Sequence, residues 1–126
     1  MNKVDCQLRR LASSNVWFYD RISEHFIYTR PVDVFIAEMR VNEEIMINGN
    51  CTVKNWLDFL NAKNKLPDAD EEESGWSDEC LSHQSEYWVC FDHISNSDKE
   101  HGLYFEIISN PLPCYGYSEC FPRKEN

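Results

Sequence analysis

The sequence predicts an α+β fold: a mostly antiparallel β-sheet with one well-defined helix, about residues 53–63, packed on a face, and a short N-terminal helix. Three observations predict it. Bulky aromatic and β-branched runs recur at 16–19, 25–29, 85–94 and 103–108, and such runs suit strands. The stretch 53–63 matches the helical i, i+3, i+4, i+7 template and carries start and stop signals. The 126 residues are enough for one core and leave little room for a second. The whole of 1–126 therefore reads as a single domain, with an acidic loop at about 66–80 and an irregular C-terminal tail.

The elements follow in chain order. Leu8, Leu11 and Ala12 fit a short helix over Cys6–Ala12 that Asp5 would cap. Val16-Trp17-Phe18-Tyr19 suits a strand, although Phe18, Ile22 and Phe26 also thread a helical face. His25–Thr29 reads as a strand stopped by Arg30-Pro31. Asp33–Val41 can be read both ways: Phe35, Ala37, Met39 and Val41 alternate as in a strand, while Val32, Phe35, Ile36 and Met39 fit a helix opened by Pro31. The branched Val32, Val34 and Ile36 tip that reading to strand.

Asn48-Gly49-Asn50 is turn chemistry, because Asn and Gly tolerate positive φ. In the predicted helix, Thr52 is the N-cap and Val53, Trp56, Leu57 and Leu60 form the apolar face. Lys63 and Lys65 suit its carbonyl end, and Pro67 forbids continuation. The acidic segment that follows is expected to be a loop with a turn at Ser74-Gly75. Ser85–Ile94 is the next expected strand, the polar run 95–102 a loop, and Leu103–Ile108 its hairpin partner. Pro111 and Pro113 exclude central strand, and Tyr115–Cys120 is a candidate edge strand. Trp17, Trp56 and Trp88 are expected in the core.

Charge is the most informative feature for function. The chain carries 12 basic and 22 acidic residues, a net charge of −10. Residues 66–106 hold twelve acids with Lys99 as the one base, whereas residues 1–40 are nearly balanced. Such a field repels phosphate backbones and anionic lipid, so direct nucleic-acid or membrane binding is disfavoured. It attracts cationic surfaces and speeds encounter with them. Acid runs are also commonly solvated loops that aid solubility. Here large aromatics interleave with the acids, an arrangement that suits an interface.

Candidate chemistry is sparse. Cys80, His83, Cys90 and His93 form two Cys-x-x-His pairs, a zinc-compatible donor set. Cys90 and His93, however, have opposite parity on the expected strand. No phosphate-cradling glycine loop, nucleophile elbow, His-Glu-x-x-His or dinucleotide fingerprint is present. The acidic stretch also lacks the spacing of a calcium loop. No apolar run approaches a membrane span, and the charged first residues lack a signal-peptide core, so a cytoplasmic setting with reduced thiols is expected.

The expectation is a small non-enzymatic inhibitor, without a cofactor, that binds a basic nucleic-acid-handling protein such as a nuclease or CRISPR effector. Anti-CRISPR, antirestriction and nuclease-toxin immunity proteins are the settings that use such molecules. The expected contact residues are Asp68, Asp70, Glu71, Glu72, Glu73, Asp78, Glu79, Glu86, Asp92, Asp98 and Glu100, with Trp76 as the apolar anchor. A zinc- or thiol-dependent module and a non-inhibitory oligomerisation domain are the alternatives.

Overall fold

In the computed structural model, which describes residues 3–61 and 74–114, ten elements follow one another. They are α1 (Lys3–Arg10), β1 (Val16–Asp20), β2 (His25–Thr29), α2 (Pro31–Asn48), β3 (Asn50–Thr52), α3 (Val53–Phe59), β4 (Gly75–Ser77), α4 (Asp78–His83), β5 (Cys90–Asp98) and β6 (Gly102–Asn110). The α+β class holds. Four strands form a mixed sheet in the order β2-β1-β6-β5, and β3 pairs with β4 in a second sheet. The β1–β2 and β5–β6 pairs are antiparallel, whereas β1 and β6 run parallel with Phe18 opposite Phe105.

Side-chain alternation gives the sheet a packed face and an outer face. Phe18, Ile27, Phe105 and Ile107 point into the core, where they join Val34, Ala37, Val41, Trp56 and Leu57 from the helices. Trp17, Phe26, Tyr28 and Tyr104 lie on the outer face, where their rings pack against one another and around His101. Among the described residues no helix is long and apolar enough to cross a membrane.

The segment expected as a strand at Asp33–Val41 is instead part of α2, the longest helix. Pro31 occupies its first turn, where a missing N–H costs nothing. Val34, Ala37, Val41 and Ile45 form one buried side at i, i+3, i+7 and i+11. Gly49 closes the helix in the left-handed region at φ 84°, donating its N–H to the Ile45 carbonyl. The preference of Val and Ile for strands amounts to a few tenths of a kcal/mol per residue. Burial of a continuous helical side outweighs it.

Thr52 caps α3 as expected, in a reciprocal capping box with Asn55. The helix itself ends at Phe59, and Lys63 and Lys65 lie outside the described residues. Three further boundaries shift. The last part of the expected acidic loop is ordered as β4 and α4, with Ser77 capping α4. Strand β5 begins at Cys90 rather than Ser85 and continues through Asp98, into the expected loop. Gly75 lets β4 approach β3 closely, since a Cβ there would overlap the Cys51 carbonyl. The candidate edge strand at Tyr115–Cys120 lies outside the described residues.

Two buried polar groups tie the layers together. The Asp20 carboxylate accepts hydrogen bonds from the Trp56 indole at 2.9 Å, the Ser23 hydroxyl at 2.6 Å and the Ile22 and Ser23 amides. Burial pushes its pKa up against the opposing pull of those donors. His93 on β5 sits between Glu38 of α2 at 2.6 Å and Asp5 of α1 at 3.0 Å, an imidazole clamped by two carboxylates. Burial works against charge on His93, but the two carboxylates outweigh it and its pKa lies above the usual value. Burial raises the pKa of Glu38, with His93 pulling the other way.

Candidate functional site

Residues 78–89 form an acidic ridge that ends in two exposed aromatics, and its shape follows from local hydrogen bonding. Asp78 and Glu79 open α4, a favourable position for acids at the amino end of a helix. After α4 the chain turns back tightly. The Gln84 and Glu86 amides both donate to the Leu81 carbonyl, and Ser85 takes φ 58°. The buried Val89 side chain then plugs the core. Asn42 of α2 grips the Val89 backbone from both sides, accepting from its N–H at 2.8 Å and donating to its carbonyl at 2.9 Å.

Fixed at Leu81 and Val89, the intervening chain projects Tyr87 and Trp88 outward, 87% and 52% exposed. Asp78 and Glu86 line a shallow hollow beside Tyr87, together with Leu81, Ser82 and Ser85. Among the described residues, none of Asp78, Glu79, Glu86, Asp92 or Glu100 forms an ion pair. The arginines that do pair serve other acids: Arg21 holds Glu106 and Arg30 holds Asp33. Among the described residues, no arginine is paired with the ridge's carboxylates. Large exposed aromatic rings amid such charge are the usual make-up of a protein-contact anchor.

The expected contact residues fall into three groups. Asp68, Asp70, Glu71, Glu72 and Glu73 lie outside the described residues. Asp78, Glu79 and Glu86 belong to the ridge, and Asp92 follows it on β5. Asp98 and Glu100 sit at the β5–β6 hairpin turn, at the far end of a nine-residue strand, about 26 Å from Cys90 at roughly 3.3 Å per residue. Asp98 is occupied there, accepting from the His101 amide at 2.6 Å, and this bond holds its carboxyl below the usual range. Hairpin-tip acids and ridge acids thus mark two separate places.

Trp76 does not act as an exposed anchor. It is 1% exposed, and its indole donates to the Pro111 carbonyl at 2.9 Å. Trp88, expected in the core, takes the exposed position instead. The reason is the late start of β5, which leaves residue 88 in the turn before the sheet. Sequence patterning gave no signal for Asn42, because its side chain serves a backbone 47 positions away.

The zinc-compatible set is not assembled. His93 is engaged by Glu38 and Asp5, Cys90 is exposed on the opposite side of β5, and the Cys80 sulfur lies 2.6 Å from that of Cys114. Among the described residues no group of three His, Cys, Asp or Glu side chains is arranged to hold a metal ion. Thiol chemistry has no activated candidate in the core either: burial pushes the Cys51 thiol up to about 12 and raises that of Cys80. Compared with known proteins, the chain matches no family model, no curated protein and no solved structure.

Proposed function

We propose that this protein is a small acidic inhibitor that binds the basic surface of a nucleic-acid-handling protein, such as a nuclease or an RNA-guided effector. The ridge at 78–88 is its contact element. Tyr87 and Trp88 enter apolar recesses of the partner, and Asp78, Glu79 and Glu86 lie against arginines and lysines that otherwise hold phosphates. One observation carries the reading: with the backbone fixed at Val89 by Asn42, two exposed aromatics stand among carboxylates that form no ion pair among the described residues. A backbone already fixed on either side of the two rings lowers the ordering cost of binding. The phage-defence and toxin-immunity settings follow by analogy of size and charge.

The test is the affinity of ridge variants for a basic partner captured at low salt. Trp88→Ala should weaken binding by at least 2 kcal/mol, the range of an interface hot spot. Asp78→Asn with Glu86→Gln should slow association and flatten its salt dependence, with a smaller effect on dissociation. Unchanged affinity in a folded Tyr87→Ala/Trp88→Ala variant would remove the ridge from the interface.

A further inference from the structure

The outward side of α2 is apolar where a surface helix should be polar. Val34, Ala37, Val41 and Ile45 face the core, yet Ile36, Met39, Met46 and Ile47 stand on the opposite side, with Met39 72% and Ile47 70% exposed. A helix that is apolar all round is normally covered on both sides. Two charges interrupt the exposed stripe, Arg40 and Glu43. Their placement carries the inference.

Arg40 and Glu43 lie symmetrically about the point between positions 41 and 42, and so do Ile36 and Ile47. An antiparallel second copy, related by a two-fold axis at that point, meets a complementary surface. Arg40 falls opposite Glu43 of the other copy twice, and Ile36 falls opposite Ile47 at each end. The contact spans about 16 Å of helix at 1.5 Å per residue. Met39 and Met46 fill the space between, as unbranched side chains readily do. Self-complementarity of this kind is what a two-fold interface requires. The guanidinium of Arg40 lies 4.3 Å over the Phe59 ring, which fixes its position and leaves its edge for a carboxylate. Glu43 has no ion-pair partner among the described residues.

We infer that α2 mediates a two-fold homodimer through Ile36, Met39, Arg40, Glu43, Met46 and Ile47. The inference does not rest on the function proposed for the ridge, which Asn42 ties to this same helix. Sedimentation velocity on the full chain between 1 and 200 μM, with these concentrations set on the order of a typical weak-to-moderate affinity range, should show a monomer–dimer equilibrium. Glu43→Lys places cation against cation twice and should weaken the dimer at least tenfold while the melting temperature is kept. The double exchange Arg40→Glu/Glu43→Arg should restore dimerisation to near the original strength. A chain that stays monomeric throughout overturns the inference and leaves the stripe to a different occupant. A dimer indifferent to Glu43→Lys, or one not restored by the exchange, overturns it equally.

Discussion

Replacing Asp20 by alanine examines how the sheet and the helical layer are held together. Four donors converge on this fully buried carboxylate, two of them side chains and two backbone amides. Removing it leaves the Trp56 indole and Ser23 groups without an acceptor, and each orphaned buried donor costs about 1–3 kcal/mol. Relief of carboxylate desolvation, several kcal/mol in the opposite direction, offsets part of that. The net expectation is a loss of about 2–4 kcal/mol. That is a large share of the roughly 6–19 kcal/mol expected of a chain this long.

Urea unfolding followed by fluorescence and circular dichroism measures it. The sign of the pH dependence is also fixed. Because the folded-state pKa of Asp20 is raised, its contribution is complete below the ordinary carboxylate value and is lost as pH rises through the folded value. The gap between wild type and Asp20→Ala should therefore be wider at about pH 4, close to the ordinary carboxylate value, than at about pH 8. A variant as stable as wild type, or a gap that widens with alkali, would refute the role assigned to Asp20.

Further predictions concern the other buried groups. His93 and Glu38 both have raised folded-state pKa values, so stability should fall as pH rises from about 6 to 8, past the ordinary histidine value. His93→Gln should flatten that slope in thermal melts, and an unchanged slope would place its cause in the overall negative charge. Gly75→Ala forces a methyl into the β3 backbone and should cost about 3 kcal/mol in chemical denaturation; a neutral result would contradict the close approach. Asn42→Ala should lose about 1–3 kcal/mol and speed hydrogen exchange at the Val89 amide, whereas continued protection there would mean the ridge is held by other contacts.

Several features were legible in the residues themselves. The strands at Val16–Asp20, His25–Thr29 and Gly102–Asn110 announce themselves through aromatic and branched side chains, and Thr52 through its capping chemistry. The α2 helix was not legible, because Ile36, Met39, Met46 and Ile47 on its outward side blur the period of its buried side. Alternation then looked like a strand. The ridge escaped for a different reason: Tyr87-Trp88-Val89 is good strand chemistry, and the Asn42 side chain that grips Val89 is distant in sequence. Cys-x-x-His spacing suggested a metal, but His93 is committed to carboxylates from α1 and α2 that no local pattern reveals. The charge asymmetry was visible from the sequence. Which tryptophan is exposed was not: Trp76 is buried and Trp88 is half exposed.

The most direct test of the whole account is competition. A panel of purified nucleases and RNA-guided effectors, each bound to its fluorescent DNA or RNA, is titrated with the full chain at two salt concentrations. At least one partner should release its nucleic acid as the chain binds. Displacement should weaken steeply at the higher salt and be lost with Tyr87→Ala/Trp88→Ala. A partner that holds this chain and its nucleic acid together, or displacement that ignores both salt and those two residues, would contradict it.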